Sequence, residues 1–457
     1  MSDVVDAADP PRGVTYREAF WVWAKIAALS FGGPAGQIAV MHRILVEQKR
    51  WISEQRFLHA LNFCTLLPGP EAQQLCIYIG WLLHRTLGGL TAGILFVLPG
   101  FVSILALSVL YAEYQDTEFI TALFYGLKPA IVAVVLEAVL RISKRVLKNG
   151  VMVAIAAAAF VAIFAFHVPF PLIVFTAGMI GFCGGRWRPE TFHLMRGHKA
   201  DATAFVLTPV VDETALTHIA PSWRRTLRVG VTCLLLWFVP LAALTAWLGR
   251  EHVLVQEGAF FSKAAVVTFG GAYAVLPYVG QQSVEKYGWI QEGEMIDGLG
   301  MAETTPGPLI QVVQYVAFLG AYRHPAPFSP IAAGVVASLI TTWVTYVPCF
   351  LYIFVGAPYV ERLRNSALWS SALSAVTAAV VGVILNLAIW FALRTLFSER
   401  NPWSFPGGEI DVPVWRTIDW AAATIAAAAA VMLLRFKWNL FLVLGICVAA
   451  GIAVRAF

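Results

Sequence analysis

The chain has 457 residues, of which 59% are hydrophobic and 13% are charged, and its formal net charge is +5. An average soluble domain carries about 25% charged residues, so this composition is typical of a polytopic membrane protein. The small excess of Lys and Arg therefore reports how the loops face the membrane, and it does not indicate a nucleic-acid partner.

Thirteen apolar segments predict an all-α membrane protein, with six segments before a polar connector, one directly after it and six more beyond. They run over 18–40, 57–85, 88–111, 119–140, 150–166, 168–184, 226–249, 259–279, 295–321, 328–355, 368–397, 417–434 and 438–456. We divide the chain into a polar N-terminal segment (1–17), a first transporter repeat (18–185), a cytoplasmic connector (186–225), a linking transmembrane helix (226–250) and a second repeat (251–457).

Two of these segments are broken by the same tripeptide. Pro68-Gly69-Pro70 interrupts segment 57–85, and Pro306-Gly307-Pro308 interrupts segment 295–321. Proline removes a backbone donor and disfavours helical geometry in the residue before it, so a helix must break at each site. In lipid such a break is tolerated where protein or a water-filled cavity takes up the freed backbone groups. Matching breaks in two halves of a transporter point to its binding site.

The two halves are copies related by a shift of 238 positions. The shift pairs Lys25 with Lys263, Phe31-Gly32-Gly33 with Phe269-Gly270-Gly271, Trp51-Ile52 with Trp289-Ile290, Pro68-Gly69-Pro70 with Pro306-Gly307-Pro308, and Gln73 with Gln311. One constant offset over some fifty residues indicates an internal repeat.

Basic residues suggest that the copies are inverted. Loop 42–56 has four Lys or Arg and its counterpart 280–294 has one, whereas loop 112–118 has none and its counterpart 358–366 has two. Short cytoplasmic loops are enriched in these residues, so equivalent loops lie on opposite sides of the membrane. The single linking span supplies the reason, since one extra crossing between even-numbered copies turns the second copy over.

The same charges favour re-entrant half-helices. The basic residues of loop 42–56 and Arg85 both indicate the cytoplasmic side of the membrane. A straight span over 57–85 would put them on opposite sides. We therefore expect 57–85 and 295–321 to be half-helix pairs that turn at Pro-Gly-Pro, and 18–40 and 259–279 can behave alike. Ordinary kinked spans remain the alternative.

A half-helix that begins after Pro70 or Pro308 would point free N–H groups and the positive end of its dipole into the protein, where an oxyanion binds. Glutamine amides follow each break, and paired glycines would let the backbone approach a ligand. The predicted substrate-binding residues are Gly32, Gly33, Pro68, Gly69, Pro70, Gln73, Gln74, Gly270, Gly271, Pro306, Gly307, Pro308, Gln311 and Gln314. The alternative is that Pro and Gly only kink packed helices.

Ionisable groups inside apolar segments indicate function because burying them is costly. Lys25 and Lys263 could supply positive charge for an anion, or they could extend to the membrane interface. Glu71 and Glu303 flank the two turns and are candidates for binding a coupling proton, with structural ion pairing as the alternative. Lys128 and Glu137 receive no role.

Signals for other chemistry are missing from the sequence. There is no phosphate-binding loop, HExxH or GxSxG motif, and the six cysteines and the histidines lack metal-ligand spacing. The sequence therefore predicts no enzyme, no cofactor and no metal site.

With these motifs the chain resembles the long, two-domain form of the chromate ion transporter family. The first half carries Ser30-Phe31-Gly32-Gly33-Pro34, Trp51-Ile52, Leu67-Pro68-Gly69-Pro70-Glu71-Ala72-Gln73 and Leu98-Pro99-Gly100. The second half carries Thr268-Phe269-Gly270-Gly271-Ala272-Tyr273, Pro306-Gly307-Pro308 and Val380-Val381-Gly382-Val383-Ile384-Leu385-Asn386. The resemblance spans nearly the full chain.

The resemblance implies a multi-pass protein of the bacterial inner membrane that exports chromate from the cytoplasm, coupled to the proton-motive force, and confers chromate resistance. Its partners would be chromate, with sulfate as the analogue, protons and the lipid bilayer, and a homodimer is compatible with it. An anion channel, or a secondary carrier for sulfate or another oxyanion, is the alternative. Leu309 stands where the first half has Glu71, which suggests one site shared asymmetrically.

Overall fold

The computed structural model describes residues 14–192, 222–359 and 367–456. The first half forms α1 (Tyr16–Leu29), α2 (Gly33–His42), α3 (Glu54–Cys64), α4 (Glu71–Tyr114), α5 (Glu118–Val146), α6 (Gly150–Phe164), α7 (Phe170–Trp187) and the short α8 (Pro189–Phe192). The linking helix is α9 (Trp223–Leu248). Most of the polar N-terminal segment and the connector, and the basic residues Arg362 and Arg364, lie outside the described residues.

The second half forms α10 (Val253–Val267), α11 (Ala272–Gln281), α12 (Glu292–Thr304), α13 (Val312–Arg323), α14 (Pro330–Gly356), α15 (Ala367–Leu396), β1 (Arg400–Phe405), β2 (Gly408–Pro413), α16 (Trp420–Leu434) and α17 (Leu440–Ala456). A 3-10 turn, Leu309–Gln311, precedes α13, and π-helical turns follow α2 (Arg43–Gln48) and α11 (Gln282–Lys286). The second of these π-helical turns lies where the 238-residue shift puts it.

The helices break where Pro and Gly predict. Segment 18–40 is divided between α1 and α2, and segment 57–85 between α3 and α4, with the same division in 259–279 and 295–321. The half-helices other than α4 have 10 to 15 residues. At a rise of about 1.5 Å per residue they are shorter than the ~30 Å hydrocarbon core.

Each divided segment folds back on itself. The Lys49 ammonium, after α2, lies 2.8 Å from the Glu18 carboxylate at the start of α1. The rings of Phe63 on α3 and Tyr78 on α4 lie 5.8 Å apart across the first Pro-Gly-Pro turn. Across the second turn, Arg323 at the end of α13 lies 2.5 Å from Glu294 at the start of α12. The outer ends of the α1–α2 and α12–α13 hairpins are therefore neighbours, and α3 and α4 pack against each other beside their turn.

Helix α4 is itself two helices joined by a reversal at His84 and Arg85, whose backbone angles are non-helical. A Cβ on Gly80 would lie 2.5 Å from the Gly88 carbonyl oxygen, which is impossible along one straight helix. The chain therefore enters a hairpin at Pro-Gly-Pro, reverses again at His84 and continues as a long apolar helix to Tyr114.

The two halves interlock reciprocally. The core of the first-half hairpins includes Cys349, Ile353 and Phe354 of α14, and the core of the second-half hairpins includes Ile104 and Tyr111 of α4. Helix α5 packs against α16 and α17 of the second half, while α15 packs against α6 and α7 of the first. Neither half can therefore form its core without the other.

The expectation of an all-α polytopic membrane protein is confirmed. Among the described residues, six helices are long and apolar enough to cross a membrane, and α6, α16 and α17 are shorter apolar helices. The loop expected over 398–416 contains one addition, an antiparallel β-hairpin in which Arg400 pairs with Pro413 and Phe405 with Gly408. Gly407 at its turn has φ +90°, which favours glycine.

Candidate functional site

The two Pro-Gly-Pro turns meet the Phe-Gly-Gly turns of the opposite half. The Gly69 N–H donates a hydrogen bond to the Thr268 carbonyl oxygen at 2.6 Å, and the Gly307 N–H donates to the Ser30 carbonyl oxygen at 2.9 Å. Thr268 is the counterpart of Ser30, and Gly307 that of Gly69, under the 238-residue shift. A reciprocal contact of this kind is what a two-fold relation between the two halves would produce. The broken helices therefore converge between the halves.

The predicted glycines all adopt backbone conformations that other residues rarely adopt. Their φ values are +75° at Gly32, +69° at Gly33, +118° at Gly69, +79° at Gly270, +93° at Gly271 and +100° at Gly307. A side chain at any of these positions would strain the backbone. The turns therefore depend on glycine for their shape.

Unfilled space borders two equivalent glycines. Gly33 and Gly271 are both buried. A Cβ built on either would meet no heavy atom within 4 Å. Well-packed interiors leave few such gaps, so room remains beside the crossed turns.

The Pro-Gly-Pro turns also pack tightly across the halves. A Cβ on Gly307 would lie 3.0 Å from the Gly100 Cα and 3.2 Å from its nitrogen. A Cβ on Gly69 would lie 3.0 Å from the Cys349 Sγ and 2.8 Å from the Gln74 amide nitrogen. The Gln37 amide on α2 fixes the second turn further by donating to the Gly307 carbonyl at 2.6 Å. Sequence reasoning missed Gln37, because its counterpart in the second half is Val275.

Helices begin immediately after both turns without a side-chain cap. Pro70 precedes α4 and Pro308 precedes the 3-10 turn that leads into α13, and neither end has a capping hydrogen bond from its N-cap side chain. The first N–H groups of a helix lack intrahelical acceptors, and the helix dipole is positive there. Both ends can therefore hold an anion.

The second-half glutamines are already hydrogen-bonded within the protein. The Gln311 amide donates to the Gln314 side chain and to the Thr342 hydroxyl at 3.2 Å, and its oxygen accepts from the Tyr346 hydroxyl at 2.5 Å. The Gln314 amide reaches the Phe101 carbonyl of α4 at 3.1 Å. These two side chains brace the turn.

Gln73 differs from its counterpart. Its side chain is fully buried, and neither amide atom has a hydrogen-bond partner among the described residues. The neighbouring Gln74 amide instead donates to the Pro68 carbonyl at 2.6 Å. Buried polar groups are nearly always satisfied, so the unpaired Gln73 amide on the first turn of α4 is a polar group that remains available for a hydrogen bond.

The two predicted lysines do not share this buried region. Lys25 and Lys263 both have exposed side chains, on α1 and α10. Their position fits the interfacial interpretation that the sequence left open, and we leave them out of the proposed site.

The predicted carboxylates lie beside the turns. Glu71 is the first residue of α4 and is half-buried. Glu303 is 2% exposed and accepts a hydrogen bond from the Tyr273 hydroxyl on α11. The two residues therefore have different surroundings, in keeping with their non-equivalent positions.

Sequence reasoning missed two buried carboxylates. Asp297 on α12 accepts from the Tyr111 hydroxyl at 2.8 Å and lies 3.3 Å from the Lys128 ammonium, so Lys128, left without a role, has a partner. Glu257 on α10 is fully buried, and neither of its oxygens has a hydrogen-bond partner among the described residues. Asp297 could have been found from the sequence, because it is a carboxylate inside the apolar segment 295–321.

A separate polar cavity of about 420 Å³ lies near the β-hairpin, between α6, α11 and α15. Glu292 bridges Arg394 and Arg400 there, with 2.7 Å to each. Burial raises the pKa of the Glu292 carboxyl, but its hydrogen bonds and attraction to Arg394 and Arg400 outweigh this, and the pKa lies below its usual value. An ionised Glu292 therefore ties α12 to α15 and β1.

The family model described as "Chromate transporter" matches residues 17–182 and 255–452, which fall on the two halves. The chain belongs to the chromate transporter family. It is 30% identical to a chromate transport protein of Pseudomonas aeruginosa, over 88% of this chain and 86% of the relative. It is 26% identical to one of Cupriavidus metallidurans, over 93% of this chain and 89% of the relative. No solved structure matches the chain.

Proposed function

We propose that this transporter exports chromate from the bacterial cytoplasm across the inner membrane and so confers chromate resistance. The observation that carries the proposal is the crossed pair of turns, each followed by an uncapped helix N-terminus, together with the unpartnered Gln73 and the open space beside Gly33 and Gly271. Chromate is a tetrahedral oxyanion with only hydrogen-bond acceptors, which suits N–H donors and helix dipoles. Membership of the family supports chromate as the cargo.

The charge of chromate supports export as the direction of transport. An inside-negative membrane potential supplies about 2.3 kcal/mol per 100 mV for each negative charge that leaves the cytoplasm. A dianion that leaves therefore gains about 4.6 kcal/mol per 100 mV. The proton-motive force therefore drives export electrically even before any proton binds. We infer that proton binding by a carboxylate adds the chemical part of the coupling, and Glu71 and Glu303, both beside the turns, are the candidates that the sequence singled out.

The divided segments fit re-entrant loops. If the four hairpins enter and leave on one side, nine apolar helices remain as spans, namely the second part of α4, α5, α6, α7, α9, α14, α15, α16 and α17. Four spans then lie in each half and one joins them, which inverts the second half.

This topology predicts opposite labelling of two equivalent positions. Gln48 and Lys286 are related by the 238-residue shift and are both exposed. In a background without the native cysteines, a membrane-impermeant maleimide should label Lys286→Cys in intact cells, and Gln48→Cys only after permeabilisation. Labelling of both from the same side would show parallel repeats and exclude the inverted arrangement.

Uptake of labelled chromate into everted membrane vesicles tests the function directly. Respiration makes the vesicle interior positive, so an exporter should accumulate chromate at least tenfold over vesicles that lack the protein. Collapse of the gradient with an uncoupler should abolish accumulation. Equilibrative, gradient-independent uptake would instead identify a channel, and full competition by equimolar sulfate would identify a broader oxyanion carrier.

A further inference from the structure

An ion pair between a buried carboxylate and a partly exposed lysine joins the two halves. Asp297 lies on α12 of the second half, and its side chain is 3% exposed. Its Oδ2 accepts a hydrogen bond from the Tyr111 hydroxyl of α4 at 2.8 Å and lies 3.3 Å from the Lys128 ammonium of α5. Both partners belong to the first half, so the contact crosses the interface between the halves.

The other groups around Asp297 leave Lys128 as its counter-ion. Tyr315 faces it from α13, with its ring 5.4 Å from that of Tyr111. Glu294, one turn earlier on α12, is itself paired with Arg323 at 2.5 Å. In the described residues, Lys128 is therefore the cation within ion-pair distance of Asp297.

The second carboxyl oxygen of Asp297 is unsatisfied. Oδ1 is buried and has no hydrogen-bond partner in residues 14–192, 222–359 and 367–456. An ionised carboxylate can only accept hydrogen bonds, whereas a protonated carboxyl carries its own hydrogen on one oxygen. A proton on Oδ1 would leave the hydrogen bond from Tyr111 to Oδ2 intact.

The pair is confined to one of the two pseudo-equivalent interfaces. The position of Asp297 is occupied in the first half by His59. Aligning Ala130–Val135 with Ala378–Val383 puts Val376 at the position of Lys128. A duplicated fold thus keeps this ion pair at a single place, which a purely structural requirement of the repeat would not predict.

We propose that Asp297 takes up the coupling proton and that Lys128 holds it ionised in the conformation described here. A movement of one half against the other separates Lys128 from Asp297 and would leave a buried charge without its partner, which is strongly unfavourable. A proton from the adjoining aqueous phase, bound to the Asp297 carboxylate, removes that charge and frees the halves to move. Proton binding thereby shifts the conformational equilibrium of the carrier.

The first test does not depend on the cargo. Infrared difference spectra of the purified protein between acidic and alkaline pH should contain, among the carbonyl stretching bands of protonated carboxyls, one band from Asp297 that Asp297→Asn removes. Asp419→Asn is the matched control, because Asp419 is likewise a carboxylate that accepts a hydrogen bond from a tyrosine, Tyr125 of α5, at 2.7 Å. This substitution should leave the band in place. A band unchanged by Asp297→Asn would overturn the proposal.

The second test rests on the proposed function. It measures chromate uptake into everted vesicles when a pH gradient is the driving force and the membrane potential is clamped by potassium and valinomycin. Asp297→Asn combined with Lys128→Gln removes both charges, which avoids an unpaired lysine. We expect pH-driven uptake to fall at least tenfold while chromate exchange at zero gradient stays within twofold of wild type. If the double variant takes up chromate at the wild-type rate under a pH gradient, the Asp297–Lys128 pair has only a structural role. If the wild type moves no chromate, the proposed function fails while the infrared result still decides the role of Asp297.

Discussion

Gly307→Ala should abolish chromate transport, because its new methyl group has no room. Gly307 has φ +100°, where an alanine strains the backbone by about 1–3 kcal/mol. The added Cβ would also lie 3.0 Å from the Gly100 Cα, a backbone atom that cannot rotate away, and overpacking of this kind costs about 1–3 kcal/mol more. Transport per inserted protein in everted vesicles should fall at least a hundredfold, and the melting temperature should drop.

Alanine substitutions at two other glycines serve as comparisons for Gly307→Ala. Gly445 on α17 has no positive φ, and a methyl group added to it would meet no heavy atom within 4 Å, so Gly445→Ala should leave transport and stability unchanged. Gly69→Ala has the same backbone strain as Gly307→Ala but meets side-chain atoms of Gln74 and Cys349, which can move, so its effect should be smaller. Normal transport by Gly307→Ala would mean that the turn does not touch Gly100 in the working protein.

The helix breaks could be predicted because Pro and Gly act locally. Pro68-Gly69-Pro70 and its copy end helices in any surroundings. The positive φ values of the six glycines are a finding of the structure, because the sequence predicted only that glycine lets the backbone come close to a ligand. The reversal at His84 and Arg85 was less accessible, since no proline or glycine occupies the turn itself. It depends on Gly80 packing against Gly88, a tertiary contact that a hydropathy pattern does not contain.

The sequence predicts which glutamines follow the two turns, but it does not predict their hydrogen bonds. The sequence treated Gln73 and Gln311 as equivalents, and the repeat does put them in equivalent places. The two side chains differ because Gln311 hydrogen-bonds to Thr342 and Tyr346. Both of these residues lie on α14, a helix that is distant from Gln311 in the sequence. The Asp297–Lys128 pair escaped notice for the same reason, because its members lie in different halves.

Gln73→Met should stabilise the protein while it abolishes chromate transport. The buried Gln73 amide has no hydrogen-bond partner among the described residues, and an unsatisfied buried polar group costs about 1–3 kcal/mol. Methionine has a similar shape and no amide, so the free energy of unfolding should rise by about that amount. If the amide contacts the oxyanion, its removal should reduce uptake into everted vesicles at least tenfold.

Gln311→Met is the informative contrast to Gln73→Met. It removes the partner of the buried Tyr346 hydroxyl and of the half-buried Thr342 hydroxyl, so it should lower stability by about 1–3 kcal/mol. Opposite shifts in melting temperature at two equivalent positions, with transport lost in both variants, would separate the side chain that meets the substrate from the one that braces the turn. Should Gln73→Met be more stable and still transport chromate at the wild-type rate, the unpaired amide is a packing defect, and the substrate must bind through the helix N-termini alone.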